Sequence, residues 1–196
     1  MHYLARNASF NLLATLVNFA TGVGTSIIAA RFLGATQYGI YSFAYWLLIT
    51  IVGLVEPGIT IASAKFISEL EGSQKRAVGN SLFIVLLIIQ SVIGISCCLL
   101  IIIFRSTLTQ LLGPKAAPSF LVIVAVGVAL GLVNSIMRGR HIGQQRYNFT
   151  SLGTIITSVI TLFGTIILSF FGLRISNLLW LVVGATFAQL VLLTLL

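Results

Sequence analysis

The residues with the most chemical potential surround one acid in an apolar setting. Glu56 lies in "ITIVGLVEPGITIA" (Ile49–Ala62), where a carboxylate and then Pro57 interrupt an uncharged run. A carboxylate held in hydrocarbon costs at least a few kcal/mol unless it faces water or a partner. Such a group marks a working position by default, and the competing reading is a buried structural pair. Pro57 removes a backbone donor and favours a bend, which Gly53 and Gly58 would ease.

Three polar stripes accompany it, since residues three and four apart share a helix face. Asn7, Asn11, Thr15, Asn18, Gly22, Thr25 and Ala29 form the first. Thr50, Gly53, Glu56, Thr60 and Ser63 form the second, and Gly127, Gly131, Asn134 and Arg138 the third. Small residues let helix backbones approach, and Asn or Ser bond across the interface, so packing is one reading of each stripe. Gly127 and Gly131 make a G-x-x-x-G pair, for which packing is the better reading. Three Asn on one face exceed what tight packing needs, so a wet cavity is the competing reading for the first stripe. Candidate substrate or cavity residues from these stripes are Glu56, Asn11, Asn18, Asn134 and Arg138.

Much other chemistry is missing. The chain has three acidic residues and no Asp, so clustered carboxylates for Mg²⁺-dependent attack on a diphosphate do not exist here. Glu69 and Glu71 share a loop with Lys75 and Arg76, where solvated ion pairing accounts for them. His2 and His141 lack companion ligands at metal spacing. Cys97 and Cys98 are adjacent in an apolar segment, a setting for packing rather than a disulfide or a metal. No P-loop and no nucleophile elbow occurs. The expectation is a protein that is not an enzyme and needs no cofactor. "NAS" at Asn7 and "NFT" at Asn148 match a glycosylation pattern but fall on the expected cytoplasmic side.

These residues need elements to position them, and composition fixes the solvent. The 196-residue chain is 58% hydrophobic and 7% charged, with a mean hydropathy of +1.12. Soluble domains carry about a quarter charged residues, so this chain belongs in a bilayer. Its net charge of +8 does not indicate nucleic acid, because the basic residues are scattered between apolar runs rather than clustered. Six uncharged stretches each exceed the roughly 20 residues that cross a bilayer as a helix. The expected fold is all-α, with six transmembrane helices near 8–30, 38–64, 78–104, 118–138, 149–172 and 176–196. The connectors are short: Arg31–Gln37, Lys65–Ala77, Arg105–Ala117 (with the turn "GPKAAP", Gly113–Pro118), Gly139–Asn148 and Leu173–Ile175. Lys and Arg favour the cytoplasmic side. Arg6, Lys65, Lys75, Arg76, Arg138, Arg140 and Arg146 fall on one side and Arg31, Arg105, Lys115 and Arg174 on the other. The N-terminus is therefore expected inside. Tyr38, Tyr41, Tyr45, Trp46 and Trp180 fit an interfacial aromatic belt, but aromatics also pack within bundles and so decide little. On this map Glu56 lies about 14 Å along its helix from Lys65, within the inner half of the hydrocarbon. "LVLLTLL" at the end, without a basic flank or polar tail, reads as the first half of something longer.

Two segments carry a family resemblance. "RNASFNLLATLVNFATGVGTSIIAARFLGATQYGIYSFAYWLLITIVGLVEPG", with its "ARFLGATQYGIYS" turn, resembles the opening helix pair of polysaccharide-biosynthesis flippases in the multidrug/oligosaccharidyl-lipid/polysaccharide exporter superfamily. "MRGRHIGQQRYNFTSLGTIITSVI" resembles the inner loop between their fourth and fifth helices. The resemblance implies a two-lobed transporter of twelve to fourteen helices, of which residues 1–196 form the single six-helix N-lobe and a C-lobe is absent. It also implies a central cavity for the polar head of a polyprenyl-diphosphate-linked oligosaccharide, moved by alternating access. Arg31 matches the basic residue of the family's first inter-helix turn, and Glu56 an acid beside Gly in the lipid II flippase branch. That branch has a basic residue inside its first helix where this chain has Thr25 and Ser26, which argues against lipid II. Arg6 and Arg138 are the substitutes expected to hold a diphosphate, with Arg6 a possible water-bridged partner of Glu56.

The leading expectation is a flippase N-lobe in the cytoplasmic membrane of a prokaryote. Its partners are the lipid bilayer, a lipid-linked oligosaccharide, and the missing C-terminal lobe or a second copy, with no nucleic acid. A cation-coupled exporter of drugs or metabolites with the same fold, or a noncatalytic partner of a glycan synthase, are the alternatives. The topology is testable once Cys97 and Cys98 are replaced by Ala. Ser73→Cys should react with a membrane-impermeant thiol reagent only in opened cells, and Ser106→Cys in intact cells with a permeable outer envelope. The reverse labelling pattern overturns the orientation.

Overall fold

The computed structural model describes residues 2–73, 76–112 and 118–196, with backbone alone at 2–8, 57, 76, 111, 112 and 118. It is helical, with no strand among the described residues. The elements are α1 (His2–Gly72), α2 (Arg76–Ile103), α3 (Arg105–Leu112), α4 (Pro118–Gly143), α5 (Tyr147–Phe170) and α6 (Ile175–Leu195). Stretch Ser9–Glu56 of α1 and helices α2, α4, α5 and α6 are each long and apolar enough to cross a membrane.

The first of these is two crossings. Gly34 has φ 74° and ψ 166°, a conformation open almost only to glycine because it has no Cβ. It divides α1 into a first and a second arm. The arms fold back on each other, since Asn18–Ser26 of one and Tyr38–Tyr45 of the other wall a common cavity. The six expected spans are thus the two arms, α2, α4, α5 and α6. The seven-residue connector expected at Arg31–Gln37 contracts to one glycine.

Three further boundaries differ from expectation. α3 is helical where a loop was expected from Arg105, and its Leu108 packs on the apolar core. α4 continues to Gly143 rather than stopping near Arg138, so Arg138 and Arg140 stand on a helix instead of in a loop. A charged residue marks where a span leaves hydrocarbon, whereas the helix's backbone hydrogen bonds continue past it to Gly143. The backbone stays helical through Pro57, with no non-helical dihedral in α1 other than at Gly34. Lys75 and most of "GPKAAP" lie outside the described residues.

α4 is the axis of the bundle, the most enclosed of the crossing segments. Gly127, Gly131, Ser135, Gly139 and Gly143 recur every fourth residue along one face of it. Leu48 and Val52 of the second arm fill the space that side chains at Gly127 and Gly131 would need. The carbonyl oxygens of Thr60 and Ala64 lie 3.0 and 2.8 Å from where a Cβ at Gly139 and Gly143 would stand. Residue number rises along both helices together, so the second arm and α4 run parallel and in constant register. Thr60 Oγ1 adds a 3.5 Å contact to the Ser135 carbonyl. In lipid no hydrophobic drive joins two helices, so close approach and dispersion must do it. The G-x-x-x-G pair is therefore a packing seam.

Around this seam Ala29, Tyr41, Ala44, Val124, Val128, Leu132, Leu178 and Val183 join one apolar core. A smaller cluster of Ile67, Phe83 and Ile136 lies toward the face bearing the N-terminus. Large apolar side chains also point outward, Leu54 at 79% exposure and Phe170 at 82%, as a lipid-facing surface requires.

Gly143 tests the seam. Gly143→Ala places a methyl against the Ala64 carbonyl and Ile67 and should cost about 1–3 kcal/mol, the usual range for overpacking. Gly184→Ala, where nothing lies within 4 Å of the added carbon, should leave thermal stability in detergent unchanged. Equal melting temperatures for the two variants would show that the helices do not approach this closely.

Candidate functional site

Two features of the interior carry chemistry, and the first answers for Glu56. Its position on the second arm continues the Leu48, Val52, Thr60 ridge that faces α4. Arg138, one position before Gly139 on α4, reaches back across the seam. Its Nη2 donates to Glu56 Oε1 at 2.6 Å. The side chains are 34% exposed for Arg138 and 23% for Glu56, so the pair is shielded without being sealed. Arg138 Nε is buried and unpartnered. A charge-assisted bond of this length is strong in a low dielectric, and each ion removes the other's desolvation problem. The partner found is Arg138, not Arg6, whose side chain lies outside the described residues. With its charge balanced by Glu56, Arg138 is not a free cation for a diphosphate in this state.

The second feature is a cavity of about 330 Å³ between the two arms of α1, α5 and α6. The first arm lends Asn18, Thr21, Thr25 and Ser26, and the second Tyr38, Tyr41, Ser42 and Tyr45. α5 adds Thr157, Ser158 and Thr161, and α6 adds Thr186. No acidic or basic side chain lines it. Tyr41 and Tyr45 stack with ring centroids 6.1 Å apart, and Tyr38 leans on Tyr41 at 6.3 Å.

The hydrogen bonds give this cavity a polarity. Thr21 donates to the Val17 carbonyl, Thr157 to Gly153, Thr161 to Thr157 and Thr186 to Val182, all at 2.7–2.9 Å. Ser158 shares its proton between Thr154 O at 2.8 Å and Asn18 Oδ1 at 2.9 Å. Back-bonding of this kind satisfies a helical hydroxyl in lipid, and it leaves the oxygen lone pairs as acceptors. Thr25 is 6% exposed and its hydroxyl has no partner. The cavity therefore suits a neutral guest rich in hydroxyl groups, and it offers nothing to balance a full charge.

Of the residues expected from sequence, the structure brings Glu56 and Arg138 together and puts Asn18 on the cavity wall. Asn134 is buried, its Nδ2 donating to Gln189 Oε1 of α6 at 2.7 Å, which makes it a link within the bundle. Asn11 and Arg31 are exposed and line no described cavity. Of the aromatics that fit either a belt or bundle packing, Tyr38, Tyr41 and Tyr45 line the cavity. The α5 hydroxyls were overlooked, although Thr154, Ser158, Thr161 and Thr165 repeat the same three-and-four spacing as the other stripes. Gln189 carried no such signal, because its partner lies 55 positions away. No group of three or more potential metal ligands occurs among the described residues.

Residues 4–196 match the family model described as Polysaccharide biosynthesis protein. No curated protein matches the chain. Among solved structures, it is similar to a MOP superfamily transporter from Pyrococcus furiosus, with a TM-score of 0.83 and 13% identity. That protein is described as having a binding pocket of reverse polarity that suggests a different function. The alignment covers 98% of this chain and 43% of that one. At this identity the likeness establishes the fold, and the chain spans less than half the length of that transporter.

The ion pair is open to a double-mutant cycle. Glu56→Gln and Arg138→Gln should each destabilise the protein, since each leaves one charge uncompensated. The double variant should lose less than the two together. Because the pair is partly exposed, a coupling of about 1–2 kcal/mol is expected. Additive losses in thermal unfolding would mean that the two charges do not interact.

Proposed function

Since this chain belongs to the polysaccharide biosynthesis protein family, we propose that it is the N-lobe of a transporter that carries a lipid-linked oligosaccharide across the membrane by alternating access. The observation that carries this reading is the uncharged, acceptor-rich cavity between the arms of α1 and helices α5 and α6. Sugar hydroxyls both donate and accept, so they answer lone pairs that the helix hydroxyls leave free. The rings of Tyr38, Tyr41 and Tyr45 offer flat apolar faces for the carbon side of a sugar. The polyprenyl tail stays in lipid beside the lobe.

The rest of the cycle follows from the architecture. A single lobe gives one wall, and alternating access takes two bundles that rock against each other. The second wall is assigned to a C-lobe or a second copy, and the N-terminus to the cytoplasmic side, where the basic residues are in excess. Glu56 and Arg138 act together as a clasp on the seam between the second arm and α4. Arg6, near the N-terminal end of α1, remains the candidate for the diphosphate.

Thr25→Val and Ser26→Ala each delete a cavity hydroxyl with little change of shape. In the reconstituted full-length protein each should slow translocation of a lipid-linked oligosaccharide about fivefold, as a lost hydrogen bond of about 1 kcal/mol implies. Protein insertion should stay unchanged. Wild-type rates in both variants and in their combination would remove this cavity from the substrate's route.

A further inference from the structure

A second cavity, of about 390 Å³, opens on the face that carries the N-terminus, where α1 ends, α2 begins and α4 ends. Its polar wall is Glu71, Asn80, Arg140, Gln144 and Arg146, over an apolar floor that includes Phe83.

Its charge is unbalanced in an unusual way. The chain has three acidic side chains, and each has another contact. Glu56 binds Arg138, Glu69 lies 4.0 Å from Lys65, and Glu71 accepts from Gln144 Nε2 at 3.1 Å. The Arg140 guanidinium carbon sits over the buried Phe83 ring, 4.4 Å from its centroid, and the group reaches the neutral Asn80 Oδ1 at 3.4 Å. A cation held over a ring face is attracted to it without using up its N–H donors. Arg146 donates to the backbone oxygen of Leu196 at 3.4 Å. Neither arginine has an acidic side chain within ion-pair distance among the described residues, so two cations face one cleft with their donors under-used.

Position decides what kind of anion fits. The cleft sits at helix ends, level with the membrane surface if the apolar parts of α2 and α4 are in hydrocarbon. From Asn80 on its rim, Ile84, Ile88, Val92 and Ile95 continue at three-and-four spacing along α2, each more than half exposed. An apolar track thus leads directly from the basic cleft into the lipid-facing surface. We infer that this cleft binds the phosphate headgroup of an anionic membrane phospholipid, with an acyl chain lying along Ile84–Ile95 of α2. Basic pockets between transmembrane helices at the membrane surface recognise lipid headgroups in this manner, and guanidinium forks match phosphate oxygens. This inference does not depend on what the transporter carries.

Native mass spectrometry of the full-length protein, released from membranes with equal phosphatidylglycerol and phosphatidylcholine, tests it. The wild type should retain phosphatidylglycerol selectively. Arg140→Gln and Arg146→Gln should each lower that preference about fivefold, and together should abolish it. The Arg140→Lys/Arg146→Lys pair, which keeps the charge but loses the fork and the ring contact, should retain only part of it, whereas Arg174→Gln on the other face should change nothing. In detergent, phosphatidylglycerol should raise the melting temperature, and inorganic diphosphate at equal phosphate concentration should not, because it lacks the chain that α2 holds. Equal stabilisation by diphosphate would make this a site for a soluble anion and overturn the lipid assignment. Undiminished phosphatidylglycerol retention by the Arg140→Gln/Arg146→Gln variant, or no selectivity in the wild type, would overturn it as well.

Discussion

Contact between the second arm of α1 and α4 at near-backbone distance sets the positions of nearly everything else in this lobe. Gly139 and Gly143 leave room for the Thr60 and Ala64 carbonyls, and that closeness brings Glu56 within 2.6 Å of Arg138. With bulkier residues on α4 the helices would stand further apart, and two charges would be left in hydrocarbon without partners. The apolar core forms on the same axis, since Val124, Val128 and Leu132 are other faces of the helix that carries the glycines. Dispersion across a long, tight seam replaces the hydrophobic drive that a soluble bundle would use.

Polar groups are handled in two ways that follow from the same solvent. Where a side chain is charged, it is neutralised by a direct partner, as Glu56 is. Where it is a hydroxyl, it bonds its own helix one turn back, as Thr157, Thr161 and Thr186 do. The second solution spends the proton and keeps the lone pairs, so a wall of such residues becomes a surface of acceptors without any charge. The cavity and the ion pair are therefore separate devices. One is suited to a neutral hydroxyl-bearing guest, and the other ties two helices together and is open to rearrangement because it is partly exposed.

The face bearing the N-terminus has a different character. Guanidinium groups there are supported by aromatic faces and neutral amides rather than by acids. A chain with three acidic side chains cannot pair all its arginines internally, and Arg140 and Arg146 have no acidic partner among the described residues. Scarcity of acid thus shapes both the interior, where the one embedded carboxylate is committed, and the rim, where the cations are not.

What sequence determined by itself was the solvent and the crossings. Runs of some 20 apolar residues fix membrane helices through backbone hydrogen bonding alone, so the six spans and the packing role of Gly127 and Gly131 were legible. The polarity of the Asn18 stripe was legible for the same reason, because helical periodicity is local. Partners were not. Glu56 and Arg138 are 82 positions apart and Asn134 and Gln189 55, and no local rule pairs them. The true end of α4, the one-residue break at Gly34 and the inward turn of Tyr38, Tyr41 and Tyr45 also waited on the tertiary structure. A charge marks where a helix leaves hydrocarbon rather than where its backbone bonding stops, and which way an aromatic faces depends on the helices packed beside it. Those conditions belong to the bundle, and tertiary packing decided them.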